Sequence, residues 1–240
     1  MRALTGQLRA ELGMTLRRGE SVLLTLGIPV MLLVFFSTVH VLPTTTRHPI
    51  AFLAPGILAL AVMSTSMVSL GIATGFERGY GVLKRLKTTP LGRGRLMVAK
   101  MAGVIAIEVV QVVVLVVVSL VLGWAPHAEI GALVAAIVVG TTGFAGLGLL
   151  MAGTLRAEAT LALANAVYLV LLLLGGMIVP LGKLPSALAG AARVLPAAAL
   201  SDALHGAFGF GGGIPAEAWI VLVAWGLAAP VAAASLFRWE

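Results

Sequence analysis

Apolar runs of some twenty residues recur along this chain, and they decide its architecture before any other feature is read. A helix rises about 1.5 Å per residue, so about twenty apolar residues cross a bilayer core of about 30 Å. Such runs stand at Ser21–Val41, Ile50–Thr74, Val98–Leu122, Ile130–Met151, Thr160–Pro180 and Trp219–Phe237, and they predict six transmembrane helices. A transmembrane barrel would instead show segments of about ten residues with alternating polarity. Val109–Val118 is nearly continuous apolar sequence. The predicted fold class is an all-α integral membrane protein. Composition agrees: 60% of the 240 residues are hydrophobic and 10% charged, where a soluble domain has about a quarter charged.

The basic residues orient these spans. With a cytoplasmic N-terminus, thirteen of the 16 Lys and Arg residues fall on inner segments, and only Arg47, Lys183 and Arg193 fall outside. Lys and Arg collect on the cytoplasmic side, so both termini are predicted to be cytoplasmic. The net charge of +7 is then mostly topological, and nucleic-acid binding loses its main support. About twenty polar or amphipathic residues precede the first span and no A-x-A pattern follows it, so it reads as a retained helix. The chain has no cysteine, which excludes disulfides, thiolate nucleophiles and Cys-based metal sites. Arg outnumbers Lys and Ala, Gly and Val are abundant, pointing to a G+C-rich bacterial genome and to the bacterial cytoplasmic membrane.

Three segments are not spans. In residues 1–20, Leu4, Leu8, Leu12 and Leu16 form one stripe with Arg9, Arg17 and Arg18 off it, the pattern of a helix lying in the membrane surface. A frayed basic tail is the alternative. Residues 76–97 follow the second span: Val82, Leu83 and Leu86 share one face of a short helix, Lys84, Arg85 and Lys87 face elsewhere, and Pro90 ends it. A basic loop touching anionic lipid would look the same. Residues 181–216 are too interrupted by proline to span and too apolar for a free loop, which predicts short helices re-entering the outer leaflet between spans five and six. Gly209–Gly213 then reads as a hinge.

Catalytic chemistry finds no support. The closest approach to GxxxxGK[ST] is Gly176 to Gly182-Lys183, with one residue too many between the glycines and Leu184 in place of Ser or Thr. The four histidines, His40, His48, His127 and His205, fall near the outer side without metal-ligand spacing. No catalytic residue, metal site or cofactor is expected in this chain. Glu108 is the exception inside the hydrocarbon, with Gln111 one turn later. A charge there costs roughly 2.5–3.5 kcal/mol, so it is expected to face protein or water. It reads either as a proton relay or substrate contact, or as an acid hydrogen-bonded between helices. Ser64, Thr65, Ser66 and Ser69 on span two and Asn165 and Tyr168 on span five are polar groups that serve packing or line a pathway. Thr141, Ala145, Gly148 and Ala152 make a small-residue face on span four.

The Glu77-Arg78 pair closing span two, the run Gly81-Val82-Leu83-Lys84-Arg85-Leu86-Lys87-Thr88-Thr89-Pro90-Leu91, and Arg95–Lys100 at the start of span three resemble the permease subunits of type-2 ATP-binding-cassette exporters of drugs, lipids and polysaccharides. The resemblance extends to the amphipathic N-terminus, the six spans and the Pro-punctuated outer segment, and it makes residues 1–240 one permease domain. It implies that Glu77, Arg78, Val82, Leu83, Lys84, Arg85, Leu86, Thr89 and Pro90 couple to a separate ATPase subunit, which would hold ATP and Mg. It also implies a second, identical or similar permease, and a pathway lined by the second and fifth spans. The substrate expected is hydrophobic or amphipathic, a drug or lipid, with antibiotic efflux as one such role. A proton-coupled secondary transporter or channel using Glu108 stands as the alternative.

Overall fold

The computed structural model describes residues 19–39, 49–82, 92–124 and 128–237. All regular structure among the described residues is helical. The chain runs through α1 (Gly19–Thr38), α2 (Pro49–Gly79), α3 (Gly92–Val121), α4 (Ile130–Thr154), α5 (Ala157–Leu174), α6 (Ser186–Arg193), α7 (Pro196–Ala207) and α8 (Ala216–Leu236). Helices α2, α3, α4, α5 and α8 are each long and apolar enough to cross a bilayer, and α1 contributes a shorter apolar stretch, Thr25–Thr38. Residues 1–18 of the expected interfacial helix over 1–20 and the coupling residues Leu83, Lys84, Arg85, Leu86, Thr89 and Pro90 lie outside the described residues, as do His40, His48 and His127, while Gly19 and Glu20 begin α1.

Boundaries shift where side chains find partners or the backbone must turn. Helix α2 runs beyond Thr74 to Gly79, because Glu77 and Arg78 in its last turns bond neighbouring helices. Helix α5 stops at Leu174, before the expected Pro180. Gly176 there has φ +67°, a left-handed conformation that breaks the helix and that glycine adopts without a Cβ clash. The chain then crosses the N-terminal half of α2 so closely that a Cβ on Gly56 would lie 1.9 Å from the Met177 carbonyl oxygen.

Helix α2 is the axis of the bundle. Of its most apolar window, 89% is buried within the protomer, against 17% for α8. A helix apolar on all sides suits such a position. Helix α4 lies between α2 and α8: Gly148 faces α2 so closely that a Cβ would sit 2.5 Å from the Met67 carbonyl, and Gly146 meets Pro230 of α8 in the same way. Small residues let helix backbones approach where lipid supplies no hydrophobic drive for association. Helices α3, α5 and α8 keep apolar outer faces, among them Val109, Val113, Leu169, Leu173, Ile220 and Val231, all exposed.

The segment after α5 forms two short helices bent by 83°. Of these α7 is almost wholly buried against α2, α4 and α8, with Ala197–Ser201 and Ala203–Ala207 all inside. Trp225 Nε1 of α8 donates to the Val194 carbonyl at the bend, satisfying an acceptor that the break would leave open (3.0 Å).

Candidate functional site

The Glu77-Arg78 pair ends α2 with two side chains about 100° apart around the helix, so one turn reaches two neighbours. Lys100 Nζ of α3 donates to Glu77 Oε2 at 2.5 Å, with the lysine side chain 3% exposed and the glutamate 27%. The Arg78 guanidinium donates to the carbonyl oxygens of Gly153 and, at 2.6 Å, Leu155. These carbonyls close α4, where the last turn leaves acceptors without helical donors and carries the negative end of the helix dipole. The charged pair thus clasps the ends of α2, α3 and α4 together. Beside it a cleft of about 360 Å³ opens between the end of α2 and the start of α5, lined by Phe76, Arg78, Tyr80, Arg156 and Glu158. The chain leaves α2 through Gly81, at φ +70°, and Val82 follows with its side chain exposed.

A second polar group lies midway along the spans, where α2 widens into a π-helical segment, Ser64–Ser69. Such bulges rearrange the carbonyl ladder and recur at functional positions. Thr65 Oγ1 donates to Gln111 Oε1 (3.0 Å), and Gln111 Nε2 donates to the Thr25 carbonyl of α1 (3.0 Å). Thr141 Oγ1 of α4 donates to Glu108 Oε2 at 2.6 Å. Glu108 and Gln111, one turn apart on α3, therefore hold different neighbours: Glu108 holds α4, and Gln111 holds α1 and α2. Both are 1% exposed. Glu108 Oε1 has no hydrogen-bond partner among the described residues. Thr141 emerges as the partner of Glu108 as well as part of the small-residue face of α4. The Thr141-Thr142 pair in an apolar span was the available signal, and the rotation of α4 that aims Thr141 at Glu108 was not.

The other polar candidates separate by position. Thr65 and Ser66 are buried inside the protomer, and Ser66 Oγ donates to its own helix at the Val62 carbonyl (2.5 Å). Ser64 is half-buried and Ser69 exposed. On α5, Asn165 is exposed and donates to Leu161 of its own helix (2.8 Å), while Tyr168 is half-buried.

At the opposite end from the clasp, His205 of α7 reaches the first turns of α2. Its Nε2 lies 2.9 Å from the Phe52 carbonyl oxygen and its Nδ1 2.7 Å from that of Ser201. Burial pushes the imidazole below its ordinary value, although both carbonyls favour the charged ring.

Residues 8–208 match the family model described as ABC-2 type transporter. No curated protein matches the chain.

Proposed function

The chain belongs to the ABC-2 type transporter family, membrane permeases whose ATPase is a separate subunit, and from that premise we propose that it is half of an exporter in which two permeases enclose the pathway. The observation that carries this reading is the clasp. Glu77 and Arg78 stand at the end of α2, and their bonds pass a displacement of that end to α3 and α4. Val82, Leu83, Lys84, Arg85, Leu86, Thr89 and Pro90 form the contact with the ATPase, its apolar face docking and its basic residues meeting acidic surface. ATP and Mg belong to that partner and supply the free energy of hydrolysis. Closure of the ATPase pair then biases the permeases between two arrangements of different substrate affinity.

The pathway in this reading runs between protomers rather than through one. Helix α2 is filled in on nearly all sides, whereas Ser69 and Asn165 are exposed, so polar groups on α2 and α5 meet the pathway only where they face out of the protomer. Thr65 instead ties α2 to α3 through Gln111, and Ser66 bonds within its own helix. With few polar groups on apolar walls, the substrate is hydrophobic or amphipathic, a drug or a lipid. In this reading the membrane is the bacterial cytoplasmic membrane, and the asymmetry of Lys and Arg supports both termini lying inside.

The test is purification of the complex from native membranes in mild detergent, comparing wild type with Leu86→Asp. The expected result is that an ATPase subunit co-purifies with wild type and is released by the substitution while the permease stays folded. Retention of the ATPase by Leu86→Asp refutes the coupling assignment. A second reading, proton-coupled transport through Glu108, is favoured by its unpartnered buried oxygen. It predicts transport without ATP that Glu108→Gln abolishes.

A further inference from the structure

At the far end from the clasp, a cavity of about 240 Å³ opens beneath α7, lined in part by Phe52, Pro180, Leu181, Asp202, His205 and Phe210. By the distribution of basic residues this is the outer end. Three rings gather there: Phe52 lies 4.7 Å from the His205 ring and 5.9 Å from Phe210, and His205 lies 5.5 Å from Phe210. The His205 ring is held by the Phe52 and Ser201 carbonyls, so this wall is fixed. Asp202, one turn earlier on α7, supplies the only carboxylate among the residues lining the cavity. It makes no hydrogen bond and no ion pair among the described residues. Arg193, exposed on α6, acts on it electrostatically without contact.

A half-buried carboxylate beside aromatic rings calls for a particular kind of cation. Small divalent ions need six or more oxygen ligands or keep their waters, and one carboxylate does not meet that need. An alkylated ammonium is weakly hydrated, spreads its charge over methyl groups, and is attracted both to ring faces and to a carboxylate. We propose that this cavity is a binding site for an organic ammonium group, with Asp202 as counter-charge and Phe52 and Phe210 as its walls. The volume lies below the roughly 300–1,000 Å³ of sites for drug-sized ligands, so the site holds a headgroup rather than a whole drug. Burial raises the Asp202 carboxyl above the usual carboxylate range and Arg193 opposes that rise; a bound cation lowers it further. His205 adds no competing charge near neutral pH, since burial holds its ring below the ordinary value. The site does not depend on coupling to an ATPase.

The experiment uses the purified full chain in phosphatidylglycerol nanodiscs, with choline as the probe and its uncharged carbon isostere, 3,3-dimethyl-1-butanol, as the control, read by saturation-transfer NMR and equilibrium titration. Choline is expected to bind saturably and the isostere at least about tenfold more weakly, the scale of a partly screened charge pair. Asp202→Asn should weaken choline by at least the same factor, and Phe210→Leu by several-fold. Arg193→Gln should tighten it, because a competing cation is removed; a merely structural role for Asp202 predicts no such gain. If Asp202→Asn does not fold, the isostere comparison on wild type and the Arg193→Gln variant carry the test. No choline binding to wild type, equal binding of the isostere, or an unchanged affinity in folded Asp202→Asn overturns the proposal. Repeating the titration in phosphatidylcholine nanodiscs identifies the source. Loss of choline binding there assigns the site to lipid headgroups and persistence assigns it to free ammonium compounds, and both results require the site.

Discussion

Glu77→Gln removes the carboxylate that pairs with a buried ammonium, and the burial of that pair sets the size of the effect. Lys100 is 3% exposed, so its ammonium cannot exchange its lost partner for water. Breaking a buried pair from one side costs about 3–5 kcal/mol. Glu77 is 27% exposed and a glutamine oxygen can still accept the lysine hydrogen bond, which places the expected loss at the lower end, about 3 kcal/mol. Lys100→Met is a different case. It leaves the carboxylate, which water already reaches, so the loss should be about 1 kcal/mol or less. The double variant Glu77→Gln/Lys100→Met removes the buried cation together with its counter-charge and should recover most of the stability lost by Glu77→Gln alone. The assay is apparent melting temperature in detergent at one scan rate, since membrane-protein unfolding is commonly irreversible and rate-dependent. The predicted order is wild type, then Lys100→Met and the double variant, then Glu77→Gln last. If Lys100→Met melts as low as Glu77→Gln, or the double variant melts lower still, the asymmetry of burial does not govern this pair and the reasoning fails.

Gly148→Ala should lower the melting temperature and weaken the α2–α4 contact, because the new methyl meets the Met67 backbone at 2.5 Å and backbone cannot turn aside; Gly190→Ala, with open space around it, is the control and should be neutral in the same assay. His205 should make outer-end stability pH-dependent. Its folded pKa lies below the ordinary 6.5, so between the two values the unfolded chain binds more protons. The contribution is complete above about pH 6.5 and is lost as pH falls toward the folded value. His205→Gln should flatten that part of the melting profile, and an unchanged profile would contradict the assignment.

How much of this was legible beforehand follows from which properties are local. Mean hydropathy over twenty residues, the side on which Lys and Arg collect, and the proline breaks after span five are all carried by neighbouring residues, so an all-helical chain with five long apolar helices, a shorter one before them and a broken segment after α5 could be read directly. Glu108 and Gln111 were visible as exceptions for the same reason. Their partners were not: Thr141 is 33 positions from Glu108, Thr65 is 46 from Gln111, and Phe52 is 153 from His205. A helix in lipid can rotate about its axis without changing its hydropathy, and only close packing stops the rotation. Contacts such as Gly148 against Met67 and Gly56 against Met177 are what stop it, and they turn Glu77 toward α3 and Arg78 toward α4. Apolar character placed the helices across the membrane, while backbone approach at a few glycines chose which polar groups meet.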